Sequence, residues 1–359
     1  MENKKYIERA LQLAKKAIGK TSPNPMVGAV VVKDRKIVGE GYHQKAGSPH
    51  AEINALLEAG QQAKNATLYL NLEPCSHYGR TPPCTKAIIE SGIKKVVVSM
   101  LDPNPLVCGK EELEKAGIEV EVGVLEEEAR KLNEVYVKYM TTKLPFIILK
   151  SAITLDGKIT TPDKSWVTSE ESRNLVHQLR SQVDAVLVGK NTILADNPLL
   201  TATRQASRIK EACLVGAKDP FRIIVDTRLE IFLEAKVLKN PKKVIIATTK
   251  NAPEHKVFTL EKLGAKILIL PESNGMVDVM ELVKKLGEIG LTSVLVEGGA
   301  QINASFLKSG LADKVFFFIA PKIAGNKQLS AVGNLSELVR LKELTVEKIG
   351  EDILVSGYV

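Results

Sequence analysis

Apolar positions change period several times along the first 140 residues. Tyr6, Ala10, Leu13, Ala14 and Ala17 recur at three- and four-residue spacing, which predicts a helix over residues 2–18 closing at Gly19. M-V-G-A-V-V-V-K (26–33) and I-V-G-E-G-Y (37–42), turned by Asp34-Arg35, predict a β-hairpin. T-L-Y-L-N-L (67–72), K-V-V-V-S-M (95–100) and E-V-E-V predict three further strands. Helical patterns fall between them: Ser48-Pro49 as N-cap and first residue of a helix running to Gly60, then 83–91, 110–116 and 125–140. This alternation predicts a mixed α/β layered domain.

T-T-K-L-P (141–145) interrupts the pattern, and strand and helix signals restart beyond it. The expected division is residues 1–144 and 145–359. Strands are predicted at F-I-I-L-K-S-A (146–152), 184–189, 221–226, 243–248, 266–270 and 293–297, with a helix over 169–181 and more strand in K-V-F-F-F-I-A-P and D-I-L-V-S-G-Y-V. These runs lack strict alternation, as expected of strands buried on both faces. Residues 201–219 are polar and weakly patterned, and are expected to form a loop with some helix.

Composition narrows the class. With 359 residues, two domains are expected. Hydrophobic content of 44% and 26% charged residues indicate a soluble globular protein. The chain shows no run of about 18 apolar residues, no signal-peptide pattern and no repeat, so neither a membrane partner nor export is expected. Four cysteines, at least two of them placed for a metal, suggest a reducing, cytoplasmic setting. Cys108 and Cys213 read as inert thiols. The net charge of +8 is spread among acids, and only 4% of residues are aromatic. That favours attraction for phosphorylated small molecules over a nucleic-acid partner.

The chemistry concentrates between His50 and Cys84. His50 and Glu52 lie in H-A-E, and Cys75 and Cys84 bracket C-S-H-Y-G-R-T-P-P-C. One imidazole and two thiols suit zinc and leave a fourth position for water, whose pKa would fall to about 7. Glu52, two residues from His50, is free to move protons. This is the apparatus of nucleobase deamination, although eight residues separate the cysteines where two are usual. Cys84 opens a helix, where the dipole stabilises a thiolate. A structural zinc knuckle is the alternative, but it would favour four protein ligands and has no need of Glu52.

Two features mark the second half. In V-E-G-G-A-Q-I-N-A (296–304), Gly-Gly stands between a strand and a helix, which suits either a phosphate at a helix start or simply a tight turn. L-D-G-K (155–158) precedes Ser165 and Trp166, the only tryptophan, which either flanks a flat ring or fills a core.

Taken together, S-P-N-P-M-V-G (22–28), H-A-E, E-P-C-S-H-Y-G-R-T-P-P-C (73–84), D-P-N-P-L-V (102–107), S-A-I-T-L-D-G-K (151–158), W-V-T-S (166–169), A-D-N-P-L-L-T (195–201) and V-E-G-G-A resemble the bifunctional riboflavin-biosynthesis deaminase–reductase family. The long inter-cysteine segment is that family's own form. The resemblance implies a cytidine-deaminase-like three-layer sandwich followed by a dihydrofolate-reductase-like α/β domain. It implies deamination of a diaminopyrimidinone bearing a phosphoribosylamino group, then NADPH-dependent reduction of its ribosyl group to ribityl. His50, Cys75 and Cys84 would hold one zinc, with Glu52 catalytic. Asn24, His43, His77 and Arg80 would meet the deaminase substrate. Ala152, Trp166, Thr192, Asp196 and the segment Gly299, Ala300, Gln301, Ile302, Asn303, Ala304, Ser305 would meet NADPH. Ser165 (or Lys164), Arg180, Asp196, Leu200, Arg204 and Glu297 would meet the phosphoribosyl substrate. A homo-oligomer, dimer or tetramer, is expected. The family's A-D-D-P reads A-D-N-P here, with Asn197. The competing readings are a deaminase of free or RNA-embedded bases carrying a binding module, and a non-enzymatic zinc scaffold.

Overall fold

A computed structural model describes residues 2–78, 82–202 and 219–359. The chain forms two compact units, Met1–Lys143 and Leu144–Val359. Among the described residues, no helix is long and apolar enough to cross a membrane.

The first unit runs α1 (Glu2–Lys15), β1 (Gly28–Lys33), β2 (Lys36–Tyr42), α2 (Ala51–Ala59), β3 (Thr67–Leu70), α3 (Cys84–Glu90), β4 (Lys95–Val98), α4 (Gly109–Lys115), β5 (Glu119–Val122), α5 (Glu126–Leu132) and α6 (Glu134–Thr142). Its sheet has the order β2-β1-β3-β4-β5, antiparallel through β1 and parallel from β3 to β5. Successive strand side chains point to opposite faces, and both faces are covered. Ala29, Val31, Leu68, Leu70, Val96 and Val98 pack under Ala51, Ala55, Ala59 and Ile88. Val30, Val32, Tyr69 and Val97 pack on the other side against Tyr6, Ile7, Ala10, Leu11 and Tyr136. The result is the expected three-layer sandwich.

Two glycines set the height of α2 over the sheet. A Cβ on Gly39 would meet Ala55 O at 2.3 Å, and one on Gly41 would meet Ala51 O at 2.4 Å. Only hydrogen at these β2 positions lets the helix lie this close, and the start of α2 carries His50 and Glu52.

Local boundaries differ from the sequence expectation in two places. The N-cap of α2 is His50, not Ser48. Ser48 is spent on a turn: its Oγ donates to Lys45 O at 2.7 Å and accepts from Lys45 N at 3.2 Å. The single helix expected over 125–140 is two, parted at Asn133. The Asn133 side chain accepts from Met26 N at 2.8 Å and donates to Met26 O at 3.0 Å, pinning the break to the chain before β1.

The second unit contains β6 (Phe146–Thr154), α7 (Glu170–Gln182), β7 (Ala185–Gly189), α8 (Lys190–Asp196), β8 (Phe221–Val225), β9 (Val244–Thr248), α9 (Glu254–Leu263), β10 (Lys266–Ile269), the short pair β11 (Glu272–Ser273) and β12 (Met276–Val277), α10 (Val279–Glu288), β13 (Ser293–Val296), α11 (Ala300–Lys308), β14 (Lys314–Ala320), β15 (Lys342–Ile349) and β16 (Asp352–Tyr358). The sheet order is β10-β9-β8-β7-β13-β6-β14-β16-β15, antiparallel only at the β14–β16 and β16–β15 pairs. β7, β9 and β13 are buried along their whole length, as their unbroken apolar runs predicted. Ligand sites of such parallel sheets gather at the carboxyl ends of the strands, where Ala152, Glu297 and Gly299 lie.

Candidate active sites

In the first unit, α2 and α3 bring the zinc-type donors together. His50 caps α2, and Cys84 is the first residue of α3. His50 Nδ1 is 3.5 Å from Cys75 Sγ and 3.2 Å from Cys84 Sγ, and all three donor atoms lie within 4.8 Å of one another. Zn–S bonds of about 2.3 Å and Zn–N bonds of about 2.0 Å at tetrahedral angles put such donors roughly 3.5 Å apart, so this donor set fits zinc. The Cys84 N–H donates to Cys75 Sγ at 3.4 Å. Hydrogen bonds from Cys84 and His50 hold the Cys75 thiol down at about 4, while the thiolate beside it and burial push Cys84 upward. A divalent cation removes that conflict by stabilising both thiolates.

Glu52 is on the first turn of α2 and only 3% exposed. Burial, followed by the Cys75 thiolate, raises its pKa to about 7. His43 is buried, and desolvation lowers its pKa, which favours the neutral imidazole. Its Nδ1 lies 3.2 Å from Pro49 O and its Nε2 3.2 Å from Asn24 Nδ2. A proton on Nδ1 satisfies both contacts, because Nε2 then accepts from the amide.

Asn24, His43, His50, Glu52, Cys75 and His77 line one cavity of about 390 Å³. Arg80 lies outside the described residues. The same cavity is walled by Asp102, Asn104 and Tyr136, which sequence reasoning missed as site residues. Tyr136 Oη donates to both carboxylate oxygens of Asp102, at 2.9 and 3.1 Å. Buried Glu73 accepts from Asp102 N at 3.0 Å and Lys110 N at 2.8 Å, which ties the wall to the chain carrying Cys75. D-P-N-P marked a turn in the sequence, and that turn is the wall. Nothing in the pattern singled out Tyr136.

In the second unit, Arg180 and Glu297 meet. Arg180 Nε and Nη2 donate to the Glu297 carboxylate at 2.6 and 3.1 Å. Lys150, read from sequence only as a strand residue, donates to the same carboxylate at 3.4 Å. All three side chains are nearly buried. Burial alone would raise the pKa of Glu297, but the two cations outweigh it and hold it at about 2. Burial lowers that of Lys150. Arg180 Nη1 also donates to Thr201 O at 3.3 Å, so Arg180 enters the site as a member of this cluster, not as a free cation.

Gly298 serves packing: a Cβ there would fall 2.5 Å from Ile302 Cγ2. Gly299, the N-cap of α11, has open space where a Cβ would be, so the turn is tight at one glycine and open at the other. Asn303 donates to Ser151 Oγ and Ala331 O, and its buried Oδ1 has no partner among the described residues. Gln301 and Ser305 lie on α11 with Ala300 and Ala304. Thr192 and Asp196 lie on α8, and Leu200 is buried at a positive φ of 57°. Asn197 caps α8 in the left-handed region, at φ 41°, a conformation asparagine tolerates. Lys164 and Ser165 are exposed loop residues. Trp166 is exposed, so it is not a core tryptophan. Arg204 and Cys213 lie outside the described residues, as does most of the 201–219 segment.

The cytidine and deoxycytidylate deaminase zinc-binding region matches residues 1–100, and the RibD C-terminal domain matches residues 145–355. The chain is 50% identical to the riboflavin biosynthesis protein RibD of Aquifex aeolicus over 98% of this chain and 97% of that one. It is 38% identical to the Escherichia coli RibD, over 98% of each. The solved Acinetobacter baumannii RibD superposes with a TM-score of 0.88 at 37% identity, covering 99% of this chain and 98% of that one. A Thermotoga maritima diaminohydroxyphosphoribosylaminopyrimidine deaminase/5-amino-6-(5-phosphoribosylamino)uracil reductase superposes at 0.84, with 39% identity and coverage of 99% and 98%.

Proposed function

The chain belongs to the RibD family, and from that premise we propose how its residues divide two reactions. It is a bifunctional enzyme of riboflavin biosynthesis, a zinc-dependent deaminase and an NADPH-dependent reductase. The substrate is a diaminopyrimidinone carrying a phosphoribosylamino group. Its ring amino group is lost as ammonia, and the ribosyl group is then reduced to ribityl.

For the first reaction, His50, Cys75 and Cys84 hold the zinc. When bound, zinc supplies the Lewis acidity that makes water nucleophilic near neutral pH. Glu52 carries the protons in two rounds: it accepts one from water and delivers it to the ring nitrogen, then takes the second from the hydroxyl of the tetrahedral adduct and passes it to the amino group, which leaves as ammonia. Its burial supports that role, because a carboxyl removed from solvent can hold a proton near neutrality. Asn24 orients the ring by hydrogen bonds, and His43, whose Nε2 accepts from the Asn24 amide, holds that amide in place. His77, Arg80, Asp102 and Asn104 are placed in this reading around the remainder of the substrate.

For the second reaction, NADPH supplies the hydride when bound. The open backbone at Gly299 and the first turn of α11 suit its pyrophosphate, with Asn303 behind them on the same helix. Ala152, Trp166, Thr192 and Asp196 complete the cofactor side. The Lys150–Arg180–Glu297 cluster, with Ser165, Leu200 and Arg204, takes the phosphoribosyl side. A homo-oligomer belongs to the same reading.

The observation that carries this reading is the His50/Cys75/Cys84 donor triad, of which His50 and Cys75 line one cavity with buried Glu52. Incubation with the diaminopyrimidinone phosphoriboside, with and without NADPH, tests it. Ammonia should appear in both reactions and the ribityl product only with NADPH. Ammonia without any NADPH-dependent product would leave the second unit a binding module.

A further inference from the structure

Trp166 is the only tryptophan of the chain, and it is displayed, not packed. It is 70% exposed, while Val167 and Thr168 beside it are 8% and 6% exposed. An indole ring left in water on a turn forfeits the burial that usually fixes it. Its orientation has to come from elsewhere.

Arg173 supplies it. The guanidinium carbon lies 5.0 Å from the Trp166 ring centroid. From the same group, Nη1 donates to Thr168 O at 2.6 Å. One side chain therefore covers the ring and grips the backbone two residues further on. A planar guanidinium can stack through its face and donate through its edge at once, which an ammonium cannot. The Trp166 carbonyl is held separately, accepting from Lys322 Nζ at 2.8 Å.

Arg173 also stands on a fixed base. It lies on the first turn of α7, whose N-cap Ser169 is anchored by Asp352 at the start of β16. The fully buried Asp352 carboxylate accepts from Ser169 N at 2.8 Å, Ser169 Oγ at 2.7 Å and Ser172 Oγ at 2.5 Å. Arg173 N donates to Ser169 O at 3.2 Å. A continuous set of contacts thus runs from the sheet, through the helix start, to the indole.

We propose that Arg173 is a positioning residue of the reduction site, which holds the Trp166 indole as a preformed wall for the flat ring system of the nicotinamide cofactor. The proposal rests on the reading of Trp166 as a cofactor contact. A wall ordered before binding spares the cofactor the entropy of ordering it.

The single tryptophan makes the test direct, since all tryptophan emission of the full-length protein comes from this ring. Arg173→Ala and Arg173→Lys are titrated with NADPH while Trp166 emission and its anisotropy are followed. Reductase kinetics on the deaminated intermediate and ammonia release are measured alongside. In Arg173→Ala, the Kd and KM for NADPH should rise about 2- to 30-fold. The anisotropy of the free protein should fall, kcat should change less than KM, and ammonia release should be unchanged. Arg173→Lys should fall between, and it carries the test if the alanine variant does not fold. Unchanged NADPH affinity and anisotropy in a folded variant would overturn the proposal, leaving Arg173 a brace of the helix start. If NADPH fails to alter Trp166 emission in the unsubstituted protein, the cofactor reading of Trp166 falls first. A quench with equal affinity in both proteins sinks the positioning role alone.

Discussion

Replacing Glu52 by glutamine exchanges one carboxylate oxygen for an amide nitrogen and changes almost nothing in the packing. The side chain is 3% exposed, and its glutamine counterpart has the same shape, so no cavity opens. Glu52 is outside the His50/Cys75/Cys84 donor set, so the variant should retain one zinc per chain. What disappears is a proton carrier. Loss of a positioned acid–base group costs about 10²–10⁴-fold in rate, equivalent to roughly 2.7–5.5 kcal/mol of barrier. Here one residue serves several proton transfers, so the upper part of that range is expected. The assay is ammonia release under saturating substrate, beside zinc content. NADPH oxidation on the preformed deaminated intermediate gives an internal control from the same preparation, and that rate should stay within about twofold of the parent, a barrier change near 0.4 kcal/mol. Ammonia release within tenfold of the parent, with zinc retained, would refute the assignment.

Cys84→Ser should drop zinc occupancy well below one per chain and abolish ammonia release, as read by metal analysis after dialysis. Arg180→Ala leaves buried Glu297 with only Lys150, and breaking a buried pair costs about 3–5 kcal/mol. The second unit should therefore melt earlier, and the substrate KM of the reductase should rise while NADPH binding holds. Collapse of NADPH binding with intact substrate binding would move Arg180 to the cofactor side. Asp156 accepts from Thr154 Oγ1, Ala324 N and Gly325 N, and these bonds, Thr154 first, lower its pKa to about 2. An unfolded aspartate titrates near 3.9, so this contribution is present above about pH 4 and is lost as pH falls towards 2. Thermal melts at pH 5 and pH 2.5 should show a smaller acid-induced drop for Asp156→Asn than for the parent.

The deaminase half was legible because its chemistry is local. His50, Glu52, Cys75 and Cys84 occur within 35 residues, in residue types whose joint use is restricted by metal chemistry. What failed there depended on contacts that sequence spacing cannot express. Ser48 had the chemistry of an N-cap but closes a turn onto Lys45. Asn133 looked like any polar residue on a helix, yet its side chain is bonded to Met26, 107 positions away. Tyr136 is one more apolar position of a helix until the fold aims its hydroxyl at Asp102.

The reductase half posed a different problem. Its candidate residues are collected by topology, not by spacing. Ala152 near the end of β6, Glu297 after β13 and Gly299 at the start of α11 lie at the same end of the sheet because β13 and β6 are parallel partners. Arg180 reaches Glu297 across 117 residues, and Lys150 reaches it across 147. No motif joins them: the resemblance assigned Arg180 and Glu297 to the substrate side one by one, and Lys150 read only as a strand residue. That also explains why Lys150 went unremarked in F-I-I-L-K-S-A. A lysine inside an apolar strand conflicts with the local pattern, and such a conflict is tolerated where tertiary structure supplies a counter-charge. Glu297 is that counter-charge. The anomalous lysine was therefore the one signal in the sequence that a buried charge cluster had to exist, and reading it required asking which acid would meet it.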